Sequence, residues 1–194
     1  KSSEEIRNRK NLDLKIVAVA NSRKIAFNKA GFNENWEQDI LVAEEESKMD
    51  TLIQFSQRNQ LENLIVVDNT ASKDFVKNYT TLAENGFDLV SSNKIFNTLS
   101  IAEYREFRQL LTKKNKKYLY ETNVGAGLPL IDTIKLLHLS GENITKIKGV
   151  FSGTLSYLFN NFSAKDVPFS EILKEAIDNG YTEPDPREDL CGND

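Results

Sequence analysis

Cysteine is nearly missing from this sequence. Cys191 is the single thiol among 194 residues, so an internal disulfide framework is excluded. Histidine is equally scarce: His138 has no cysteine or carboxylate at ligand spacing and reads as a packing or surface residue. The lone tryptophan, Trp36, lies in the polar stretch Asn33-Glu-Asn-Trp-Glu37 and reads as a staple holding a loop onto a sheet. Long apolar runs are lacking too; nothing approaches the ~20 residues that cross a bilayer, and Lys1-Ser-Ser-Glu-Glu5 has no apolar core of a signal peptide. No membrane partner is expected, and the expected location is a reducing, cytoplasmic one. Positive charge is not in excess either. The 25 Lys and Arg face 29 Asp and Glu, a net charge of −4 that offers no broad cationic surface, so no nucleic-acid partner is expected. The one dense basic run, Lys113-Lys-Asn-Lys-Lys117, reads as the solvated end of a helix.

What is present is a globular composition, 39% hydrophobic and 28% charged, in a chain long enough for one substantial core or one and a half smaller ones. Leu14-Lys-Ile-Val-Ala-Val-Ala20 and Leu64-Ile-Val-Val-Asp68 are short β-branched runs, as strands covered on both faces show. Helical spacing follows each. Leu52, Ile53, Phe55 and Ser56 share one side over 48–58, and Phe75, Val76, Tyr79 and Leu82 share one over 73–84. Phe87-Asp-Leu-Val90 and Tyr118-Leu-Tyr120 supply a third and a fourth strand, and Ser100-Ile-Ala-Glu103 is a capping box opening a helix to about Lys114. Strands alternating with helices imply right-handed crossovers and an α/β fold with a doubly wound parallel sheet. Near residue 120 the pattern changes. Pro129 begins an apolar helix with Leu130, Ile131, Ile134 and Leu137 at helical spacing, and Ile144-Thr-Lys-Ile-Lys-Gly-Val-Phe151 alternates as a half-buried antiparallel strand does. Gly153 to Phe159 looks helical. Phe169 to Asp178 is amphipathic, with Ile172, Leu173, Ala176 and Ile177 inward and Asn179-Gly180 as its stop. The expected organisation is an incomplete doubly wound domain over 1–119 and the start of a second α/β domain over 120–194.

Three later segments carry motifs: Glu121-Thr-Asn-Val-Gly-Ala-Gly-Leu-Pro129, Gly149-Val-Phe-Ser-Gly-Thr154 and Gly180-Tyr-Thr-Glu-Pro-Asp-Pro-Arg-Glu-Asp-Leu-Cys-Gly-Asn-Asp194. With Val67-Asp-Asn-Thr70 and Ser91-Ser-Asn-Lys94 upstream, their order and spacing resemble the homoserine dehydrogenase family over nearly the whole chain. Ala20-Asn-Ser-Arg-Lys24 is similar to the version fused to aspartokinase in bifunctional enzymes. The resemblance implies a Rossmann-type nucleotide domain followed by a substrate and dimerisation domain. The implied reaction is the NADP- or NAD-dependent interconversion of L-homoserine and L-aspartate 4-semialdehyde, in threonine and methionine biosynthesis, by a homo-oligomer. No Gly-x-Gly-x-x-Gly precedes Leu14, and the family's lysine about four residues beyond Asp194 is not in this sequence. The chain is therefore expected to be an internal segment of a larger enzyme, inactive by itself. A non-catalytic structural or dimerisation module of the same fold is the alternative reading.

The resemblance also assigns roles. Glu183 and Asp194 match two substrate-binding carboxylates that would hold the substrate ammonium, with Asp194 also part of the catalytic set. Lys94, after the third strand, would place nicotinamide and carbonyl and relay a proton. Thr70 matches a cofactor contact, although a hydroxyl capping the next helix explains it as well. Gly180 would admit the nicotinamide closely and is also an ordinary helix C-cap. Asp185 and Asp189 are expected as hydrogen-bonding supports of their loop. Glu121, with the main-chain oxygens of Val124, Ala126 and Leu128, resembles a monovalent-cation site suited to sodium; a tight turn without an ion is the plain alternative. The cations of Asn21-Ser-Arg-Lys24 could meet a ribose 2′-phosphate, which leaves NAD against NADP open.

Overall fold

The computed structural model describes residues 3–125, 127–183 and 185–191. Ala126 and Asp194 therefore lie outside the described residues. The chain forms two compact units, Lys1–Leu64 and Ile65–Asp194. The first begins with helix α1 (Ser3–Lys10), which ends where Asn11 takes the left-handed conformation (φ 52°). Strands β1 (Ala18–Ala20) and β2 (Ile25–Phe27) then pair antiparallel. Helices α2 (Trp36–Val42) and α3 (Met49–Arg58) complete the unit, burying Ile40, Ile53 and Ser56, while Phe27 stacks on Phe55 at 4.3 Å.

The hairpin corrects the strand expected over Leu14–Ala20. The Asn21 side-chain oxygen accepts from Arg23 N and Lys24 N at 2.8 and 2.9 Å, so the chain folds back at once and its ladder is local. Only three residues of the run are strand, and Leu14 and Ile16 are 54% and 62% exposed instead of covered. Trp36 also departs from expectation: it opens α2, whose acidic first turn and inward Ile40 suit a helix, and is 40% exposed.

The second unit carries the expected parallel sheet. Strands β3 (Ile65–Asp68), β4 (Asp88–Ser91) and β5 (Tyr118–Leu119) run parallel in the order β3-β4-β5. Between β3 and β4 lie α4 (Lys73–Val76) and α5 (Tyr79–Glu84), two short helices where one was expected. Ser72 caps α4 by accepting from Phe75 N at 3.2 Å. Helix α6 (Ile101–Lys114) opens with the capping box: Ser100 Oγ accepts from Glu103 N, and the Glu103 carboxylate accepts from Ser100 N at 3.1 Å. It ends on left-handed Asn115 beside Lys113 and Lys114. One face of this layer is aromatic, with Tyr79, Phe96, Phe107 and Tyr118 mutually in contact and buried. The other face of β3 is open, because Ile65 and Val67 are exposed. Covering on both faces is thus not met at this edge strand.

Helix α7 (Leu130–Leu139) follows as expected but buries none of its residues. Residues 144–151 form no strand, and Ile144, Ile147 and Val150 are exposed. Alternation alone does not make a strand; its N–H and C=O groups need a neighbouring edge, and among the described residues none pairs with this segment. Helices α8 (Gly153–Ala164), α9 (Phe169–Asp178) and α10 (Pro186–Leu190) finish the unit. Leu158, Ile172 and Ala176 make a separate small core between α8 and α9, ringed by Tyr157, Val167, Phe169 and Leu173. Ile177, expected inward, is exposed. Among the described residues no helix is long and apolar enough to cross a membrane.

Candidate functional site

The parallel register brings the carboxyl ends of β3, β4 and β5 to one edge of the sheet, the edge at which ligands of open α/β sheets bind. Thr70 follows β3, Lys94 follows β4 and Glu121 follows β5. Beneath them lies a buried polar network. Asp68, 1% exposed, accepts from Thr70 N at 2.8 Å, from the Tyr79 hydroxyl at 2.6 Å and from Asn93 Nδ2 at 3.1 Å. The Tyr79 hydroxyl also shares a 2.7 Å hydrogen bond with Ser91 Oγ. Burial, and then the Asp68 carboxylate beside it, push the Tyr79 hydroxyl far above its ordinary range, so it acts as a neutral hydrogen-bonding group. Burial likewise pushes Tyr118 up to about 12.

Above this network Lys94 Nζ donates to Glu183 Oε1 at 2.7 Å. The two side chains, 89 positions apart, are each partly buried. The loop holding Glu183 is built as its sequence suggested. Asp189, 1% exposed, accepts from Glu183 N at 2.9 Å, and Asp185 accepts from Arg187 N at 3.0 Å to cap α10. The Arg187 side chain, and then that same N–H, bring the Asp185 carboxyl down to about 2. Thr154 Oγ1 ties α8 to this loop by donating to Tyr181 O at 2.7 Å. Gly180 has φ +70° and Tyr181 N donates to Ala176 O, so it is the left-handed residue directly after Asn179, the C-cap of α9; a Cβ there would meet no atom within 4 Å.

Thr70 is not the helix cap, a role that falls to Ser72. Its hydroxyl accepts from Ser72 N at 3.2 Å and from Asn93 Nδ2 at 3.4 Å. Glu121 turns both oxygens to the start of α7, accepting from Ile131 N at 2.8 Å and Asp132 N at 2.9 Å. Gly125 has φ +72°, a conformation that strains any side chain, and a Cβ would lie 2.5 Å from Leu130 Cδ1, so a larger residue would have to displace that leucine. The Leu128 carbonyl already accepts from Leu130 N at 2.9 Å, and Val124 is extended. Among the described residues no cluster of three or more His, Cys, Asp or Glu side chains could hold a metal ion. A cleft of 230 Å³ opens between the ends of β4 and β5 and α7, lined by Ser91, Tyr120, Glu121, Asp132 and Lys135. Lys94 and Glu183 do not line it. In the first unit Lys24 Nζ donates to Leu41 O at 3.0 Å.

Comparison with known proteins places this arrangement. The family model described as "Homoserine dehydrogenase, NAD binding domain" matches residues 2–121, and that described as "Homoserine dehydrogenase" matches 129–194. The chain belongs to the homoserine dehydrogenase family. It is 37% identical over 187 residues to the bifunctional aspartokinase/homoserine dehydrogenase of Buchnera aphidicola, covering 96% of this chain and 23% of that protein. To bifunctional aspartokinase/homoserine dehydrogenase 2 of Escherichia coli it is 38% identical over 173 residues, 89% of this chain and 20% of that one. The chain thus spans a fifth to a quarter of the length of these curated relatives. Among solved structures, a Candida auris protein of unknown function matches with a TM-score of 0.75 and 32% identity, over 97% of this chain and 55% of that one. A hyperthermophilic archaeal homoserine dehydrogenase in complex with NADPH matches with a TM-score of 0.73 over 96% of this chain and 59% of that one; at 20% identity it shows the shared fold alone.

For this member of the homoserine dehydrogenase family the sequence pointed to Lys94 and Glu183, and the structure brings them together. The Asp68–Tyr79–Ser91–Asn93 network was missed. Its signal was a carboxylate ending an apolar strand, while Tyr79 read only as one more residue on a helix face.

Proposed function

We propose that the protein at its native length is an NADP- or NAD-dependent homoserine dehydrogenase interconverting L-homoserine and L-aspartate 4-semialdehyde. The observation that carries this reading is the Lys94–Glu183 ion pair at 2.7 Å beside the carboxyl edge of a parallel sheet. The nicotinamide, when bound, supplies the hydride to the aldehyde carbon or takes it from the alcohol carbon. Glu183 holds the substrate ammonium; its Oε1 faces Lys94, and among the described residues no hydrogen bond engages its Oε2. Asp194 joins it as the second carboxylate and completes the catalytic set. The Lys94 ammonium stabilises charge on the substrate oxygen and passes the proton. Thr70 and Gly180 border the cofactor, a role supported by Thr70 at the sheet edge and by the open space beside Gly180. Sodium would sit at Glu121 with the main-chain oxygens of Val124, Ala126 and Leu128, which the glycine-restricted turn at Gly125 supports. We also assign the domain boundary at 119/120, supported by the separate core between α8 and α9, and homo-oligomerisation, supported by the uncovered apolar side chains of α7.

Glu183→Gln in the native-length protein tests this. It should raise KM for homoserine roughly 10- to 100-fold, about 1.4–2.8 kcal/mol, and leave KM for NADP within about threefold. Equal losses for both ligands, or a wild-type protein that does not turn over homoserine with either nucleotide, overturn the reading.

A further inference from the structure

The side chain of Asn93 is 2% exposed and every polar group of the residue is held. Its Nδ2 donates to Asp68 Oδ2 at 3.1 Å, to Thr70 Oγ1 at 3.4 Å and to Ser72 O at 3.2 Å. Its Oδ1 accepts from Ile95 N at 3.1 Å, its N–H donates to Ser91 Oγ at 3.0 Å, and its carbonyl accepts from Asn123 Nδ2 at 3.1 Å. These partners lie on the ends of β3 and β4, the cap of α4 and the turn after β5. The next residue is Lys94.

We propose that Asn93, held by Asp68, whose carboxylate the Tyr79 hydroxyl also bonds, is a positioning residue that holds Lys94 against Glu183. The proposal rests on the dehydrogenase reading and goes beyond it, because none of the three side chains needs to touch a ligand. A buried carboxylate is costly and becomes tolerable only when donors satisfy it. If filling space were the sole requirement, an apolar side chain at residue 68 would serve. Instead Asp68 joins the end of β3 to the segment after β4 through the Asn93 side chain, while Asn123 Nδ2 holds the Asn93 carbonyl, so the peptide plane from which the Lys94 side chain departs is fixed on both sides. Displacing a reacting group by about 1 Å can lower a rate by up to ~10²-fold.

The test is a double-mutant cycle in the native-length protein. Lys94→Met should lower kcat roughly 10²- to 10³-fold. Asn93→Ala should lower it roughly 10- to 100-fold in the Lys94 protein, yet by less than about threefold in the Lys94→Met background, since there is no ammonium left to misplace. A general structural defect would reduce kcat by the same factor in both backgrounds. If Asn93→Ala does not fold, Tyr79→Phe removes one donor to Asp68 and keeps the ring packed on Phe96; it should show the same non-additivity with a smaller loss. Additive losses, or an Asn93→Ala kcat within about threefold of wild type while Lys94→Met is severely impaired, overturn the positioning role alone. A Lys94→Met protein with nearly normal kcat overturns the role of Lys94 in the proposed function, and the inference with it.

Discussion

Asp185 and Arg187 form the tightest exposed ion pair of the candidate site loop, with Nη2 to Oδ2 at 2.6 Å. The pair lies at the start of α10, where a carboxylate also meets the positive end of the helix. Because the folded-state pKa falls from 3.8 to about 2, the contribution to stability is fully present above about pH 4 and is lost as the pH drops through 2. Salt weakens it, since both groups face water. The Asp185 carboxyl, followed by NMR, should titrate near 2, and Arg187→Gln should move its midpoint up toward 3.8 without reaching it, as the Arg187 N–H still donates. A wild-type midpoint near 3.8 contradicts the pair. Lys94 and Glu183 differ in kind. Their contact joins distant parts of the chain and is only partly shielded, so it adds little stability, and in the proposed dehydrogenase its part is to orient groups for chemistry.

At the scale of elements, the junction of the 121–123 turn and α7 would have two jobs to reconcile under the proposed cation site. Glu121 accepts from the first amides of α7, whose own cap residue, Pro129, offers no side-chain hydrogen bond. A carboxylate oxygen has lone pairs to spare, so a cation can share Glu121 with the helix start. Activity of the native-length protein should therefore rise when choline is replaced by sodium or potassium, and Glu121→Ala should remove the rise. A wild-type rate indifferent to the cation contradicts the site. Other elements follow from local chemistry alone. The Ser100 and Glu103 box starts α6 and left-handed Asn115 stops it, whereas β1 ends where Asn21 forces a hairpin.

For the molecule as a whole, the uneven covering of apolar surface matters most. The layer of Tyr79, Phe96, Phe107 and Tyr118 is dry, but Leu136 and Leu139 on α7 are 64% and 81% exposed, and Val150 nearby in sequence is 74% exposed. Exposed apolar groups in number mark surfaces that associate. The 194-residue chain should bind an apolar fluorescent dye while folded, and Leu136→Lys with Leu139→Lys should reduce that binding with little change in melting temperature. Unchanged dye binding in the double variant means the exposed surface lies elsewhere.

Membership of the family, the helices α3, α6 and α9, the parallel strands β3 and β4, and the identity of Lys94 and Glu183 were all determined by the sequence itself. Those features rest on contacts within a few residues, on a period of two or 3.6, or on motif order, and a single chain displays these directly. Tertiary structure alone decided what paired with what. It turned the run at Ala18–Ala20 into a hairpin, gave residues 144–151 no partner edge, divided the expected helix at Lys77 and Asn78, and set Asp68 under Asn93 and Lys94 against Glu183. Such pairings depend on which groups remain unsatisfied once distant segments have packed, and that competition has no local signature.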